Sequence, residues 1–550
     1  MRNGTHRASK AFVFVAMLMV LALVAAACSS SSDSGGKKSS GGTGDEGTPQ
    51  SGGTLTYALE GGTTDFCIPS AQLAISGILV VEAVYDTLTR PTQDPDVYAP
   101  YLAKSVTHND DYTEWTIEIR DGITFQDGTP LTAEVVKQNI DAWREGILLG
   151  FVYQNIADVA VSGNSVVVTM TTPWVAFPAF LWTTGRTGIA AAAQLDSEDC
   201  ATDMIGTGPF SVASFDPTTG NVKTVKNQSY WRKGFPYLDG VNFIVQEESS
   251  QRFSGLEGGQ FDMTMSSGGQ DLSKAQDISG AVSQLEPEGR QEISQMLINV
   301  ARPPLDDVDA RRAVAMAVDR DALNLIDQKG QARYANQVFD TEIMGYVEDS
   351  GFPEHDPEQA RKLVEKVKAK NGGTFAFTIA TTFDQSVQTL FQEVKRQLAE
   401  FDIDVTLAPP VDQGTLINQA VGGSVDAFGW RNYPGQDPDT LYVWFYGGSI
   451  VNFNHVDDQI MNDALDAGRQ EPDPDKRREQ YETFNKRMSE QAYNMWTWYT
   501  QWFVAHSGDV HGVSGPNLPD PDSADGAPGN KKPVDLLAGY HQMLGLWTSN

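Results

Sequence analysis

Two hydrophobic periods divide this chain, and together they exclude an all-helical fold and an all-strand one. In Glu114-Trp115-Thr116-Ile117-Glu118-Ile119-Arg120 every second residue is apolar, Asp121-Gly122 supplies a turn, and Ser165 to Met170 (SVVVTM) reads as a further strand. Alternation of this kind marks a half-buried strand, because successive Cβ atoms point to opposite faces of a sheet. Beyond about residue 300 the spacing becomes helical. Pro303-Pro304 stop a strand over 295–300, and Asp307 is placed to cap a helix that buries Ala310, Ala313, Val314, Ala317 and Val318. Asp356-Pro357-Glu358 opens another helix, with Ala360, Leu363, Val364 and Val367 as its stripe and Gly372 at its end. Strands over 375–380, 403–407 and 425–430 then alternate with helices over 387–398 and near Leu416, which makes an α/β lobe with a largely parallel sheet. Nearer the start, Thr54 to Ala58 reads as a short strand. Ala74 to Leu88 reads as a helix bearing Ile78, Val81, Val84, Tyr85 and Leu88. At 550 residues the chain exceeds what one core serves, so two or three packed units are expected.

The first 27 residues carry a different message. Arg2, Arg7 and Lys10 precede an unbroken apolar run, Ala11 to Ala27, that ends in small residues before Cys28. This is the pattern of an export signal; a permanent span takes about 20 apolar residues, and no positive stop follows here. Val24-Ala25-Ala26-Ala27-Cys28 resembles a bacterial lipobox, with Ala25 where Leu is preferred. The expectation is a signal peptide over 1–27, removed to leave a diacylated Cys28 that anchors the protein to the outer face of the cell membrane. Residues 28–52, almost all Ser, Gly, Thr and charge, then form a flexible tether. Gly42-Thr43-Gly44-Asp45-Glu46-Gly47 within that stretch satisfies a dinucleotide fingerprint formally, but no strand precedes it and no helix follows.

Seventy-two acidic residues against 40 basic ones give a formal charge of −32, spread along the chain. Such a surface repels phosphate backbones, so nucleic acid is excluded as a partner; it serves solubility or, as the less ordinary alternative, a cationic ligand. Setting Cys28 aside leaves Cys67 and Cys200, an even pair in an oxidising compartment, which predicts a disulfide between them, with two free buried thiols as the alternative.

Three blocks in order carry a family resemblance. Phe125 to Val136 (FQDGTPLTAEVV) comes first; Gly206-Thr207-Gly208-Pro209-Phe210 follows, with Asn227 to Trp231 and Pro236-Tyr237-Leu238-Asp239 beyond it; Asn299 to Leu323 is third, with Pro303-Pro304-Leu305-Asp306 and Val318-Asp319-Arg320. They resemble the extracytoplasmic solute-binding proteins of the peptide, dipeptide and nickel class that serve ABC importers. Glu134-Val135 departs from the Asp that the family prefers there. The resemblance implies an α/β, two-lobed, periplasmic-binding-protein-like fold of class II with an extra strand-rich subdomain. Lobe I would combine 53–85, 206–295 and 507–550, the subdomain would be 86–205, and lobe II would be 296–506. The implied function is capture of a small, peptide-like solute between the lobes by hinge closure and delivery to the permease subunits of an importer, by a monomer without cofactor. The alternative is a cell-surface lipoprotein hydrolase or structural surface protein on the same anchor.

Ligand candidates follow from placement. Gly429 to Asp439 leaves the end of a strand in the α/β lobe, where open α/β sheets bind their ligands, which selects Trp430, Arg431, Asn432, Tyr433 and Asp437. In peptide-binding relatives an Asp follows the Gly-Trp pair and meets the peptide's amino terminus; the ungapped position here is Tyr433. If Tyr493 to Phe503 is extended, Trp496, Trp498 and Trp502 share one face and Tyr499 and Phe503 the other; Trp498, Trp502 and Phe66 complete the ligand set. Enzyme readings find little. The zinc-protease, nucleophile-elbow and phosphate-loop motifs are all missing, and the seven His are scattered. Asp520, Asp522 and Asp525 lack the terminal Glu of a calcium loop, so no metal site is expected. A thiol titration of the denatured mature protein is expected to find no free thiol, and two after reduction. Two free thiols before reduction would exclude the Cys67–Cys200 bond.

Overall fold

The structure, a computed structural model, describes residues 47–549 except 64, 73, 95, 96 and 434. The expected signal peptide, Cys28 and the expected tether as far as residue 46 lie outside the described residues. Among the described residues, three large sheets organise the chain.

The first has seven strands in the order Ala281–Leu285, Phe503–Ser507, Met263–Ser266, Thr54–Leu59, Gly240–Val245, Asn221–Lys226 and Phe210–Asp216. Thr54–Leu59 runs parallel to both of its neighbours, and its Leu55, Tyr57, Ala58 and Leu59 are buried. One lobe thus draws strands from the start, the middle and the last fifty residues of the chain. The four-stranded antiparallel sheet belongs to the intervening subdomain and runs Ala103–His108, Glu114–Ile119, Ser165–Met170 and Ile156–Ser162. Its alternation does what the sequence demands. Trp115 and Ile117 stand opposite Val168 and Val166, and all four are buried under the helix Ala133–Glu145. Thr132 caps that helix by accepting from the Val135 N–H, and Val136, Ile140 and Trp143 form its inner face.

The third sheet runs Asp404–Leu407, Ala376–Ala380, Ala427–Asn432, Glu292–Ile298 and Asn494–Thr500. It is half parallel, not largely so. Asp404–Leu407 and Ala427–Asn432 lie parallel to Ala376–Ala380, as the helices Gln385–Ala399 and Gln413–Val421 between them allow. Glu292–Ile298 is antiparallel to both of its neighbours, because it and the strand after Asn494 connect directly to the seven-stranded sheet instead of through a crossover helix.

The aromatic run 493–503 also departs from simple alternation. The ladder between Glu292–Ile298 and Asn494–Thr500 slips by one residue, so Gln295 faces Trp496 while Ser294 faces Trp498. The bulge at Thr497 puts Met495 and Trp498 on one side and Trp496 and Tyr499 on the other, each pair in its own core. Trp502, beyond the strand, packs in the core of the other lobe. The three tryptophans expected on one face therefore sit in three places.

Gly206-Thr207-Gly208-Pro209 is where the chain leaves the subdomain. Gly208 N–H donates to the Val84 carbonyl at 2.9 Å, and a Cβ on Gly208 would lie 2.4 Å from the Val84 carbonyl carbon. Only glycine permits that approach.

Beneath the first sheet, His541 is fully buried, 2.9 Å from the Tyr57 hydroxyl. Burial pushes its pKa down to about 4, opposed by the Gln542 carbonyl and aided by nearby His506. Because the folded value lies below the ordinary one, the unfolded chain binds the extra proton between about pH 6.5 and 4. The contribution is complete above the ordinary pKa and is lost as pH falls toward 4. Unfolding free energies measured from pH 7 to 4 are expected to drop further for the wild type than for His541→Gln, by roughly 3 kcal/mol over that window. Parallel profiles would remove His541 from the account.

Candidate functional site

The chain passes between the seven- and five-stranded sheets twice, from Leu285 to Glu292 and from Thr500 to Phe503. Both transitions fall a few residues before the points expected from sequence, 295 and 506, since Glu292 and Phe503 already stand in the new sheet.

Trp502 joins the two passages. Its backbone pairs with Glu286, the Glu286 N–H donating to the Trp502 carbonyl at 2.8 Å. Its own N–H reaches Glu286 Oε2 at 3.3 Å, and its indole Nε1 donates to Glu292 Oε1 at 2.8 Å. Glu286 Oε1 also accepts from the Ala538 N–H at 2.5 Å. Both carboxyls are buried. Burial pushes Glu286 well above the usual carboxylate range against the Ala538 N–H, with Glu292 adding to the rise. Glu292 is likewise raised by burial, opposed by Arg431 and by the Trp502 indole.

Arg431 arrives from the strand Ala427–Asn432 of the other lobe and stacks over the Trp502 ring at 4.5 Å. Its guanidinium lies 3.4 Å from Glu292 and 3.5 Å from Glu60, and donates to Ser267 Oγ at 2.5 Å. Burial works against its charge, but Glu292 and Glu60 outweigh that and hold its pKa above the ordinary value. Its side chain remains 37% exposed, the most accessible charge in this cluster. Arg186, from the subdomain, donates Nε to the Gln72 carbonyl at 2.6 Å; burial pushes its pKa down to about 10, with Glu292 opposing. Asp327 is pushed up to about 6, chiefly by burial, against the Gln328 amide.

Three of the sequence candidates, Arg431, Tyr433 and Trp502, meet here. Tyr433 packs against the core of the seven-stranded lobe, and its buried hydroxyl has no hydrogen-bond partner. Burial raises its pKa well above the ordinary value, with Tyr98 and Glu286 adding to the rise. Trp430 points to the other face of its strand, against Phe453 at 5.3 Å and Phe428 at 5.9 Å, and its indole N–H is also buried without a partner.

The other candidates lie elsewhere. Phe66 is a core ring, edge-on to Phe215 at 5.4 Å. Trp498 is buried in the core of the α/β lobe. Asn432 is buried and accepts from the Gln295 amide at 2.5 Å. Asp437 caps the turn before Asp439, and both of its oxygens receive the Arg477 guanidinium, at 2.7 and 2.9 Å. Cys67 and Cys200 are joined by a disulfide with Cα atoms 4.4 Å apart. Glu286, Glu292, Glu60 and Arg186 were not singled out from sequence. Nothing in the spacing of 72 acidic residues sets a buried hinge carboxylate apart from a solvated one.

Comparison with known proteins agrees with this architecture. The family model for bacterial extracellular solute-binding proteins, family 5 Middle, matches residues 97–453. The glutathione-binding protein GsiB of Escherichia coli K12 is 28% identical over 308 residues, which are 55% of this chain and 59% of that protein. The match thus spans about 59% of the length of the curated relatives. AgaA from A. tumefacien R10, solved with agropinic acid, superposes with a TM-score of 0.75 at 25% identity, covering 84% of this chain and 94% of its own. DppA from Helicobacter pylori, solved with the peptide STSA, gives 0.77 at 18% identity, over 91% and 99%.

The Asp437–Arg477 pair and the Tyr433 hydroxyl separate fold from site. Asp437→Ala leaves a buried guanidinium without its partner and is expected to cost about 3–5 kcal/mol in chemical denaturation. Tyr433→Phe, which removes an unpartnered hydroxyl, is expected to change stability by less than about 1 kcal/mol. Equal small losses would show that Asp437 does not hold the fold.

Proposed function

The chain belongs to the bacterial extracellular solute-binding proteins, family 5, and from that we propose that it captures an amino-acid-derived solute, peptide-like in character, between its two lobes and delivers it to the permease of an ABC importer. In the same proposal the protein works as a monomer outside the cytoplasm, held to the membrane by a lipidated Cys28, and releases the solute chemically unchanged.

The observation that carries this reading is the cluster at the lobe junction. Arg431 spans from one lobe to Glu60 and Ser267 of the other, while Trp502 ties both passages together beneath it. A solute held there touches both lobes only when they are shut, so binding free energy becomes closing free energy. The ligand class follows from the groups on offer. Arg431 is partly exposed, and its contacts to Glu60 and Glu292 are long enough to be shared with a ligand carboxylate. Glu60 and Glu292 balance it, which suits a solute carrying both signs of charge. Glutathione, agropinic acid and the STSA peptide, the molecules named for the relatives, all derive from amino acids.

Thermal-shift screening of the wild type against di- and oligopeptides, glutathione, opines, sugars and metal chelates checks this. A cognate solute at a hundredfold excess over Kd is expected to add about 2.7 kcal/mol of stability and to contract the scattering profile. Arg431→Ala is expected to weaken that solute by about tenfold or more, the loss of one charged hydrogen bond. Stabilisation by no amino-acid-derived solute would end the proposal.

A further inference from the structure

One contact between the lobes involves no ligand-facing group. The helix Gly269–Asp277 follows the strand Met263–Ser266 of the seven-stranded lobe, and its first turn abuts the end of the helix Arg320–Gln328 in the α/β lobe. Gly269 N–H donates to Gln328 Oε1 at 2.9 Å, and the Gln270 amide donates to the Ile326 carbonyl at 2.6 Å. These are the groups that helices leave unpaired: an N–H of one first turn and a carbonyl of another last turn. The positive end of one helix dipole thereby meets the negative end of the other. Two residues earlier, Ser267 receives Arg431.

Glycine makes this approach possible. A Cβ on Gly269 would stand 2.5 Å from the Gln328 carbonyl oxygen, 2.8 Å from its carbon and 2.9 Å from its Cα, all backbone atoms that cannot swing aside. At Gly268, one residue earlier, the nearest atom to an added Cβ is an Asp271 carboxylate oxygen at 3.9 Å, an ordinary contact. The requirement belongs to one residue.

We propose that the strap 267–270 is a latch that docks on the end of the Arg320–Gln328 helix and biases the lobes toward the closed arrangement independently of solute, with Gly269 as its obligatory residue. The proposal rests on the reading of the junction as a closing solute site and adds what governs its resting state. Because the contact is made by the protein alone, it fixes how much of the unliganded population is closed, and the apparent affinity for any solute scales with the competent fraction.

The test needs no solute. Small-angle scattering and amide exchange are measured on the unliganded wild type, Gly268→Ala and Gly269→Ala. The expected result is matching profiles for the first two, a more expanded one for Gly269→Ala, and exchange about tenfold faster in the peptide 267–272 of that variant. Its unfolding midpoint should match that of Gly268→Ala, since both place alanine at the start of one helix. Gln328→Ala, which removes the acceptor without adding bulk, should accelerate the same exchange and keeps the proposal open to refutation if Gly269→Ala fails to fold. Superimposable profiles for the three proteins, or equal opening by Gly268→Ala, would each overturn the latch. A wild type stabilised by a solute together with superimposable profiles would sink the latch alone, whereas a wild type that answers no solute strikes the proposed function.

Discussion

The two passages of the chain between the lobes are tied together at Trp502. A buried carboxyl with no donor costs several kcal/mol, and two of them, Glu286 and Glu292, lie on either side of the first passage. Trp502, in the second passage, supplies a backbone N–H to one and an indole N–H to the other. Neither strand can slide past its neighbour without stranding one of those carboxyls. The two passages are therefore held together as one unit.

Charge is handled in the opposite way at the junction and on the surface. The chain as a whole carries −32, which favours solubility and repels other polyanions at long range. At Trp502 a guanidinium, that of Arg431, is set between the carboxyls of Glu60 and Glu292. Screening removes most of the surface term beyond about 8–10 Å, so the local set dominates the field at the junction. The guanidinium stacked on the indole is held from three directions, with its two carboxylate contacts at 3.4 and 3.5 Å.

Much of the fold was legible in sequence because it is written in local chemistry. The Asp307 and Asp356 caps sit where their helices begin, and Trp115, Ile117 and Ile119 alternate as their burial requires. The site was legible only in part. Strand-end logic found Arg431 and Tyr433, and the aromatic run led to Trp502. The same logic gathered Asp437, whose carboxylate goes to Arg477 forty residues later, and no pattern announces so distant a pairing. The bulge at Thr497 was invisible for a related reason: alternation assumes one residue per rung, and an inserted residue reverses every face beyond it. The half-parallel sheet was missed because helix and strand order gives strand direction only when consecutive strands share a sheet, and here one strand enters from the neighbouring lobe and another leads back to it.

If the lobes close on a solute as proposed, the latch between them must be weak to be useful. Lobes clamped shut by protein contacts would exclude the solute, and lobes with no contacts would leave the ligand to supply the whole cost of closing. The groups across this junction suit the middle. A single neutral hydrogen bond such as Gly269 to Gln328 nets about 1 kcal/mol, and a partly exposed ion pair such as Arg431 to Glu60 about as much or less. Two or three such terms shift a two-state equilibrium by roughly a factor of ten to a hundred, which one ligand carboxylate on Arg431 matches. Closing is then nearly balanced without solute and decided with it, and the narrow glycine contact, which permits approach without adding attraction, keeps the balance from tipping too far.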